Sequence, residues 1–93
     1  MSLSSSLRSS SIENAVDYAV EEGIVTVVAA GNDGPEGSHI TSPGFAANVI
    51  TVGAINSQDN LTYYSSEGGT DREEKYSKPD IVAPGGSLND RLI

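Results

Sequence analysis

The first apolar positions of the chain recur at the spacing of an α-helix. They are separated by three or four residues, with acidic and amide residues between them: Ile12, Ala15, Val16, Ala19 and Val20. This spacing places the apolar side chains on one face of a helix. Ser10 or Ser11 can cap its amino end, and Gly23 can adopt the left-handed conformation that ends a helix. The pattern predicts one amphipathic helix over about residues 11–22.

Two β-branched runs without polar alternation follow, at residues 24–30 and 49–55. Runs of this kind are typical of strands that are buried on both faces of a parallel sheet. The first run predicts a central strand. A third, shorter run at residues 79–86 predicts a brief buried strand closed by a turn, and residues 61–65 are compatible with a short extended stretch.

The connection between the first two predicted strands is long and rich in glycine and proline. Its length of about 18 residues exceeds the roughly 12 to 15 residues beyond which structureless connections are uncommon in compact domains. Long connections of this kind usually carry function, so the sequence indicates a functional loop rather than a simple link.

One helix and about three parallel strands place the chain in the α/β class. A buried parallel sheet needs helices on both of its faces, and one helix covers only one face. This deficit predicts an apolar sheet face that a partner, a second copy of the chain or sequence outside residues 1–93 must cover.

Composition and charge narrow the choice of partners. The chain has 93 residues, which is the size of a small domain or of part of a larger one. Thirteen acidic residues against five basic ones give a net charge of -8, which disfavours nucleic acid and an anionic membrane surface as partners. Because there is no cysteine, disulfides, thiolate metal sites and a cysteine nucleophile are excluded.

The sequence contains no visible targeting signal. No apolar run approaches the roughly 18 residues that span a bilayer, and the first residues lack the basic and apolar regions of a signal peptide. The compartment is left open, and a secreted parent protein requires that residues upstream of Met1 have been lost.

The candidate chemistry lies directly after the first predicted strand, where the sequence reads Gly31-Asn32-Asp33. Ligands of open α/β sheets bind at the carboxyl ends of the strands. There the Asn32 amide offers a hydrogen-bond donor suited to a developing oxyanion, and Gly31 lets another backbone approach. On residue types alone, a tight turn without catalytic function is the favoured interpretation.

A resemblance to a known family favours the functional interpretation of Asn32 over a simple turn. Residues 27–34, Val-Val-Ala-Ala-Gly-Asn-Asp-Gly, resemble the segment of subtilisin-like serine proteases whose asparagine side chain forms half of the oxyanion hole. Three further motifs resemble the same family in the correct order: Ser42-Pro43-Gly44 with residues 48–54, Tyr64-Ser65-Ser66, and residues 78–85. The resemblance implies that residues 1–93 are a central-to-late part of a subtilase catalytic domain, with part of its three-layer α/β fold.

The resemblance also implies a substrate site. Asn32 would donate a hydrogen bond to the oxyanion, and Ala29, Ala30 and Gly31 would form part of the wall of the first specificity pocket. Met1-Ser2-Leu3 stands at the spacing of the family's substrate-binding strand, so Ser2, Leu3 and Ser4 would line the same pocket. Ser4 replaces the glycine of the family and would add bulk there. The alternative is an initiation methionine followed by an unstructured serine-rich lead.

The catalytic triad of the family is absent from the sequence. The motifs Gly-Thr-Ser-Met-Ala, His-Gly-Thr and Asp-Thr-Gly do not occur. Gly69-Thr70-Asp71 precedes the place of the nucleophile motif and is interpreted as an insertion loop, and His39 as a loop residue. The resemblance implies that the aspartate and histidine precede Met1 and that the serine follows Ile93. The chain alone is therefore expected to be inactive.

Three hypotheses about function follow. The first is a segment of a serine endopeptidase that cleaves peptides or proteins through an acyl-enzyme in the complete domain. The second is a non-catalytic binding or assembly module that docks a complementary segment, or a second copy, through the uncovered sheet. The third is an unrelated small α/β structural domain. No metal or cofactor is predicted, because no carboxylate cluster has the spacing of a metal site.

Overall fold

The computed structural model describes residues 1–5, 9–34, 40–68 and 77–88. These residues form one helix and three strands: α1 Ser10–Glu21, β1 Val27–Ala29, β2 Ile50–Ile55 and β3 Ile81–Pro84. The predicted α/β class, with one helix and about three parallel strands, is confirmed. His39 and the Gly69-Thr70-Asp71 segment lie outside the described residues. Within them, no helix is long and apolar enough to cross a membrane.

The helix α1 occupies nearly the predicted span but has a different cap. The Ser9 hydroxyl accepts a hydrogen bond from the Ile12 N–H at 3.4 Å. Ser9 has the extended backbone that an N-cap requires, with φ of -129°, so the predicted caps at Ser10 and Ser11 are wrong. At the other end, Gly23 has φ of 93° and terminates the helix as predicted.

The three strands form a parallel sheet in the order β1-β2-β3, so β2 is central and β1 is not. Only three residues of the predicted first strand join the ladder. The reason is the register, because β2 begins with Ile50 opposite Val27, and the residues before Thr26 extend past the start of β2. On its outer edge, β1 contacts the start of the chain, where the Ala29 N–H donates to the Met1 carbonyl at 3.0 Å.

One face of the sheet carries the core. Val16 of α1 packs with Val28 of β1, together with Ala46 and Val49, and all four side chains are buried. A second buried cluster is formed by residues that follow β1: Ala30, Ile40 and Phe45. The covered face therefore lies under the helix and under the second half of the long connection between β1 and β2.

The opposite face of the sheet is apolar, and no element among the described residues covers it. Val27, Ile50 and Ile81 lie on this face, and their side chains are 44%, 38% and 53% exposed. In β1 and β2 the exposed Val27 and Ile50 are followed by the buried Val28 and Thr51, as the pleat requires. The prediction of strands buried on both faces is therefore wrong within this chain, whereas the predicted exposed apolar face is confirmed. A depression of about 340 Å³ on this face is lined by the carboxyl halves of the strands and by Met1.

The long connection is packed against α1 in the part that the structure describes. The buried Ser42 hydroxyl donates to the Glu13 carboxylate at 2.6 Å and accepts from the Ser9 N–H at 2.7 Å. Further along, the Asn48 N–H donates to the Asp17 carboxylate at 2.9 Å. These bonds fix residues 40–49 as part of the fold rather than as a free loop.

The predicted extended stretch at residues 61–65 is mostly a turn. Leu61 forms a single antiparallel bridge with Ile55, and the chain then turns at Tyr63 and Tyr64. The Thr62 N–H donates to the Ala54 carbonyl at 2.9 Å, which holds the turn against β2.

A buried ammonium group joins the starts of β2 and β3. The Lys78 ammonium donates to the Val49 carbonyl and to the Asp80 carboxylate, both at 2.7 Å. The same carboxylate accepts the Thr51 N–H at 2.7 Å. Burial raises the pKa of Asp80, but the hydrogen bonds from Lys78 and Thr51 and the nearby positive charge outweigh it, so the pKa lies below its ordinary value of 3.8.

Candidate functional site

The candidate site lies at the carboxyl end of β1. The Ala30 N–H donates to the Val52 carbonyl at 2.9 Å, so sheet pairing continues one residue past β1. Asn32 follows only two residues later. This is the edge at which open α/β sheets bind their ligands, and the short distance from the ladder limits how far Asn32 can move.

Gly31 is required by both conformation and space. Its φ of 115° lies in the region that residues with a side chain rarely adopt. A Cβ atom at this position would also lie 2.9 Å from the Ser66 hydroxyl oxygen. The turn before Asn32 is therefore built for glycine.

The backbone around Asn32 is held by the Tyr64-Ser65-Ser66 segment. The Ser66 N–H donates to the Gly31 carbonyl at 3.0 Å, and the Ser66 hydroxyl accepts from the Asp33 N–H at 3.0 Å. The Gly34 N–H donates to the Tyr64 carbonyl, also at 3.0 Å. In the sequence this segment resembles a family motif, but its contact with the Asn32 turn was not predicted.

The Asn32 side chain itself is exposed and makes no hydrogen bond to any part of the chain that the structure describes. Its amide group carries two N–H donors. These donors are available to an acceptor that approaches from outside the turn.

The start of the chain lies beside the same strand. Met1 pairs with β1 through the Val27 carbonyl and the Ala29 N–H, and the Ser5 N–H donates to the Ser42 carbonyl at 2.9 Å. Met1 and Ser5 are thus both anchored, which contradicts the alternative of an unstructured lead at these positions. The exposed residues between them, 2–4, include the predicted substrate-binding positions Ser2, Leu3 and Ser4.

The predicted pocket-wall residues differ in their surroundings. Ala29 lines the depression on the uncovered face, together with Met1. Ala30 is buried and packs against Ile40 and Phe45, so its side chain faces the core. Ala30 can therefore contribute to a pocket only through its backbone.

Metal ligands do not cluster in the described ranges of the chain. No group of three or more histidine, aspartate and glutamate side chains there is close enough to hold a metal ion. The chemistry that the described site offers is hydrogen-bond donation by the Asn32 amide.

The fold and the site define an α/β protein with an amide donor at the carboxyl end of a parallel strand. A model of the subtilase family matches residues 1–92 of the sequence. The chain therefore belongs to the subtilase family of serine endopeptidases.

Curated relatives extend this assignment. The chain is 45% identical over 78 residues to serine protease AprX of Bacillus subtilis strain 168, a match that covers 76% of this chain and 17% of AprX. It is 38% identical over 94 residues to Subtilisin E of the same organism, which covers 99% of this chain and 23% of Subtilisin E. The chain thus spans about a fifth of the length of these relatives.

Solved structures agree in fold. Sphericase superposes with a TM-score of 0.75 and 41% identity, covering 94% of this chain and 31% of Sphericase. The psychrophilic subtilisin-like protease Apa1 from Pseudoalteromonas sp. AS-11 superposes with a TM-score of 0.71 and 26% identity, covering 92% of this chain and 17% of Apa1. The subtilisin-like fold of the segment is therefore shown by structure as well as by sequence.

Proposed function

We propose that residues 1–93 supply half of the oxyanion hole of a subtilisin-like endopeptidase, with Asn32 as the donor. The observation that carries the proposal is the exposed amide of Asn32, which makes no hydrogen bond to the described residues, on a backbone turn that is held at the end of a sheet strand. Donors that are fixed in advance near a developing negative charge stabilise a transition state most effectively.

The reaction is acyl transfer. A serine oxygen attacks the carbonyl carbon of the scissile peptide bond while a histidine takes its proton, and the carbonyl oxygen becomes an oxyanion. The Asn32 amide donates a hydrogen bond to that oxyanion. When the tetrahedral intermediate collapses, the leaving amine takes the proton and an acyl-enzyme remains, which water then hydrolyses. Serine and histidine are contributed by parts of the domain outside residues 1–93.

The substrate lies along the start of the chain in this proposal. Ser2, Leu3 and Ser4 follow the residue that pairs with β1, and all three are exposed. Ala29 and Gly31, with the backbone of Ala30, form part of the wall of the first specificity pocket. The substrate class is a peptide or a protein.

The test uses a hybrid protease in which residues 1–93 replace the matching segment of Subtilisin E. The hybrid is expected to hydrolyse a chromogenic peptide and to react with a fluorophosphonate at its serine, because the segment restores the oxyanion hole. The 93-residue chain alone should remain unlabelled, since it lacks nucleophile and base. A folded hybrid without hydrolysis, or stoichiometric labelling of the chain alone that denaturation abolishes, would contradict the proposal.

A second candidate function is assembly through the uncovered sheet face. We propose that the remainder of a subtilase domain covers Val27, Ile50 and Ile81. Two observations favour this occupant: the face is apolar and exposed, and the chain spans only about a fifth of its curated relatives. Complete burial of an exposed side chain of this kind contributes about 1.5–3 kcal/mol, and covering the fraction that is still exposed here contributes about half of that.

The docking proposal predicts that the chain alone binds a hydrophobic dye and that the complementary part of Subtilisin E, added as a separate polypeptide, displaces it. Ile81→Glu should abolish this complementation, because it places a charge on the uncovered face. The matched control is Val82→Glu, also exposed on β3 but on the other face, which should retain it. A monomer on size-exclusion chromatography that binds no dye would refute the proposal, and so would self-association that the complement does not reverse.

A further inference from the structure

We infer that Ser66 is a positioning residue that holds Asn32 in the geometry of an oxyanion donor. This inference rests on the proposed function of Asn32. Ser66 is fully buried, and it bonds the residues on both sides of Asn32. Its N–H donates to the Gly31 carbonyl at 3.0 Å, and its hydroxyl accepts from the Asp33 N–H at 3.0 Å.

The Asn32 side chain depends on this support because nothing in the described parts of the chain holds it directly. The backbone of Gly31 and Asp33 fixes the position of the Asn32 Cβ, and therefore the region that its amide can reach. A catalytic group must be held within about 0.5 Å of its productive position to be fully effective. One buried serine therefore controls the placement of a side chain that it does not touch.

The fit between Ser66 and Gly31 strengthens the support. The space where a Cβ of residue 31 would stand is only 2.9 Å from the Ser66 hydroxyl oxygen. The hydroxyl is thus packed against the turn as well as bonded to it. An alanine at position 66 keeps the N–H bond to Gly31 but removes the hydroxyl that accepts from the Asp33 N–H.

Ser65 offers a matched control one residue away. It is also buried, and its hydroxyl accepts a hydrogen bond from the Ala54 N–H at 3.0 Å, in the interior of β2. The same hydroxyl donates to the Ser66 carbonyl at 3.4 Å, but it bonds neither Gly31 nor Asp33. Ser65→Ala therefore removes a buried hydroxyl next to Ser66 without removing either of the bonds that Ser66 makes to the Asn32 turn.

The experiment is a double-mutant cycle in the hybrid protease, with kcat and KM measured separately. Ser66→Ala is expected to lower kcat by about tenfold, because a small misplacement of a catalytic group is costly, and to change KM by less than about twofold. Ser65→Ala should leave kcat within about twofold. In the Asn32→Ala background, Ser66→Ala should have no further effect on kcat, since there is no donor left to position.

A second readout does not depend on activity. Ser66→Ala should accelerate amide hydrogen exchange at Asp33, whereas Ser65→Ala should accelerate it at Ala54. If Ser66→Ala fails to fold, Ser66→Cys replaces it, because the thiol keeps a weak acceptor and should give an intermediate kcat.

The outcomes separate the two proposals. If Asn32→Ala leaves kcat unchanged, the function proposed for Asn32 is wrong. If Asn32→Ala lowers kcat but Ser66→Ala behaves like Ser65→Ala, or if the effects at positions 32 and 66 are additive, Asn32 remains the donor and the positioning role of Ser66 is overturned.

Discussion

Replacing Asn32 with alanine in the hybrid protease is expected to lower kcat by about 100- to 1,000-fold, a magnitude that was established for such a donor in subtilisin itself. The hydrogen bond to the oxyanion exists only after the serine has attacked, so the loss falls on the transition state. KM should change by less than about threefold, because substrate binding does not use this bond. Steady-state hydrolysis of a chromogenic peptide measures both constants.

Two variants separate the donor from other effects of the substitution. Asn32→Asp keeps the shape of the side chain but replaces the N–H donors with a carboxylate, so it should lose as much activity as alanine does. Asn48→Ala is the matched control, because Asn48 is an exposed asparagine on the same connection, bonded through its backbone N–H. An equal loss of kcat at positions 32 and 48 would contradict a specific role for Asn32.

Replacing Asp80 with asparagine is expected to lower the free energy of unfolding of the hybrid protease by about 1–3 kcal/mol. Stability is measured on the hybrid after inhibition with the fluorophosphonate. The Lys78 side chain is only 2% exposed, and the substitution leaves its buried ammonium without a counter-charge, with only neutral oxygens, that of the Val49 carbonyl and that of the new amide, as partners. Breaking a fully buried pair costs about 3–5 kcal/mol. The smaller range applies here because the Asp80 side chain is 39% exposed and solvent screens the pair. Asparagine keeps an acceptor for the Thr51 N–H, which isolates the effect of the charge.

The same pair predicts a dependence on pH. The pKa of Asp80 is lower in the folded state than its ordinary value of 3.8. The folded state therefore binds fewer protons in this range, so the stability contributed by the carboxylate is present above about pH 4 and is lost as the pH falls through the folded pKa. The decrease in the free energy of unfolding caused by Asp80→Asn should be largest at pH 7 and should become smaller below pH 4.

Scanning calorimetry of the inhibited hybrid at pH 7 and pH 3 measures this dependence. Asp59→Asn is the control, since Asp59 is an exposed aspartate whose carboxylate makes no hydrogen bond within the described part of the chain. It should lower the free energy of unfolding by less than about 0.5 kcal/mol at either pH. If Asp80→Asn lowered the free energy of unfolding by the same amount at both pH values, the charge of Asp80 would not be the cause of the loss of stability.

The sequence predicted the elements of this fold better than their arrangement. The helix could be predicted from the spacing of Val16 and its neighbours. Apolar residues that recur with a period of 3.6 residues line one face of an α-helix, and this period does not fit a strand. The central position of β2 did not follow, since a β-branched run carries no information about which strands pair with it. The length of β1 also depends on its neighbour, because β2 starts opposite Val27 and leaves the earlier residues without a partner strand.

For the candidate site, the sequence likewise indicated residues but not the contacts between them. Asn32 was singled out because a short motif surrounds it, and Gly31 because a residue without a side chain lets another backbone approach. The positive φ of Gly31 was not predicted. The hydrogen bonds of Ser66 to the Asn32 turn were not predicted, because nothing in the sequence distinguishes a serine that will be buried and its partner Gly31 lies 35 residues earlier. The inward side chain of Ala30 was missed for the same reason, since its neighbours Ile40 and Phe45 come from a distant part of the connection.

The most direct test of Asn32 as the oxyanion donor is the inhibition constant of a peptide trifluoromethyl ketone, measured on the hybrid and on its Asn32→Ala variant. This inhibitor adds the serine oxygen to form an ionised tetrahedral adduct, so its affinity reports the oxyanion hole rather than substrate binding. If Asn32 is the donor, the inhibition constant rises by about the factor by which kcat/KM falls, while KM stays nearly constant. An inhibition constant unchanged by Asn32→Ala would contradict the assignment.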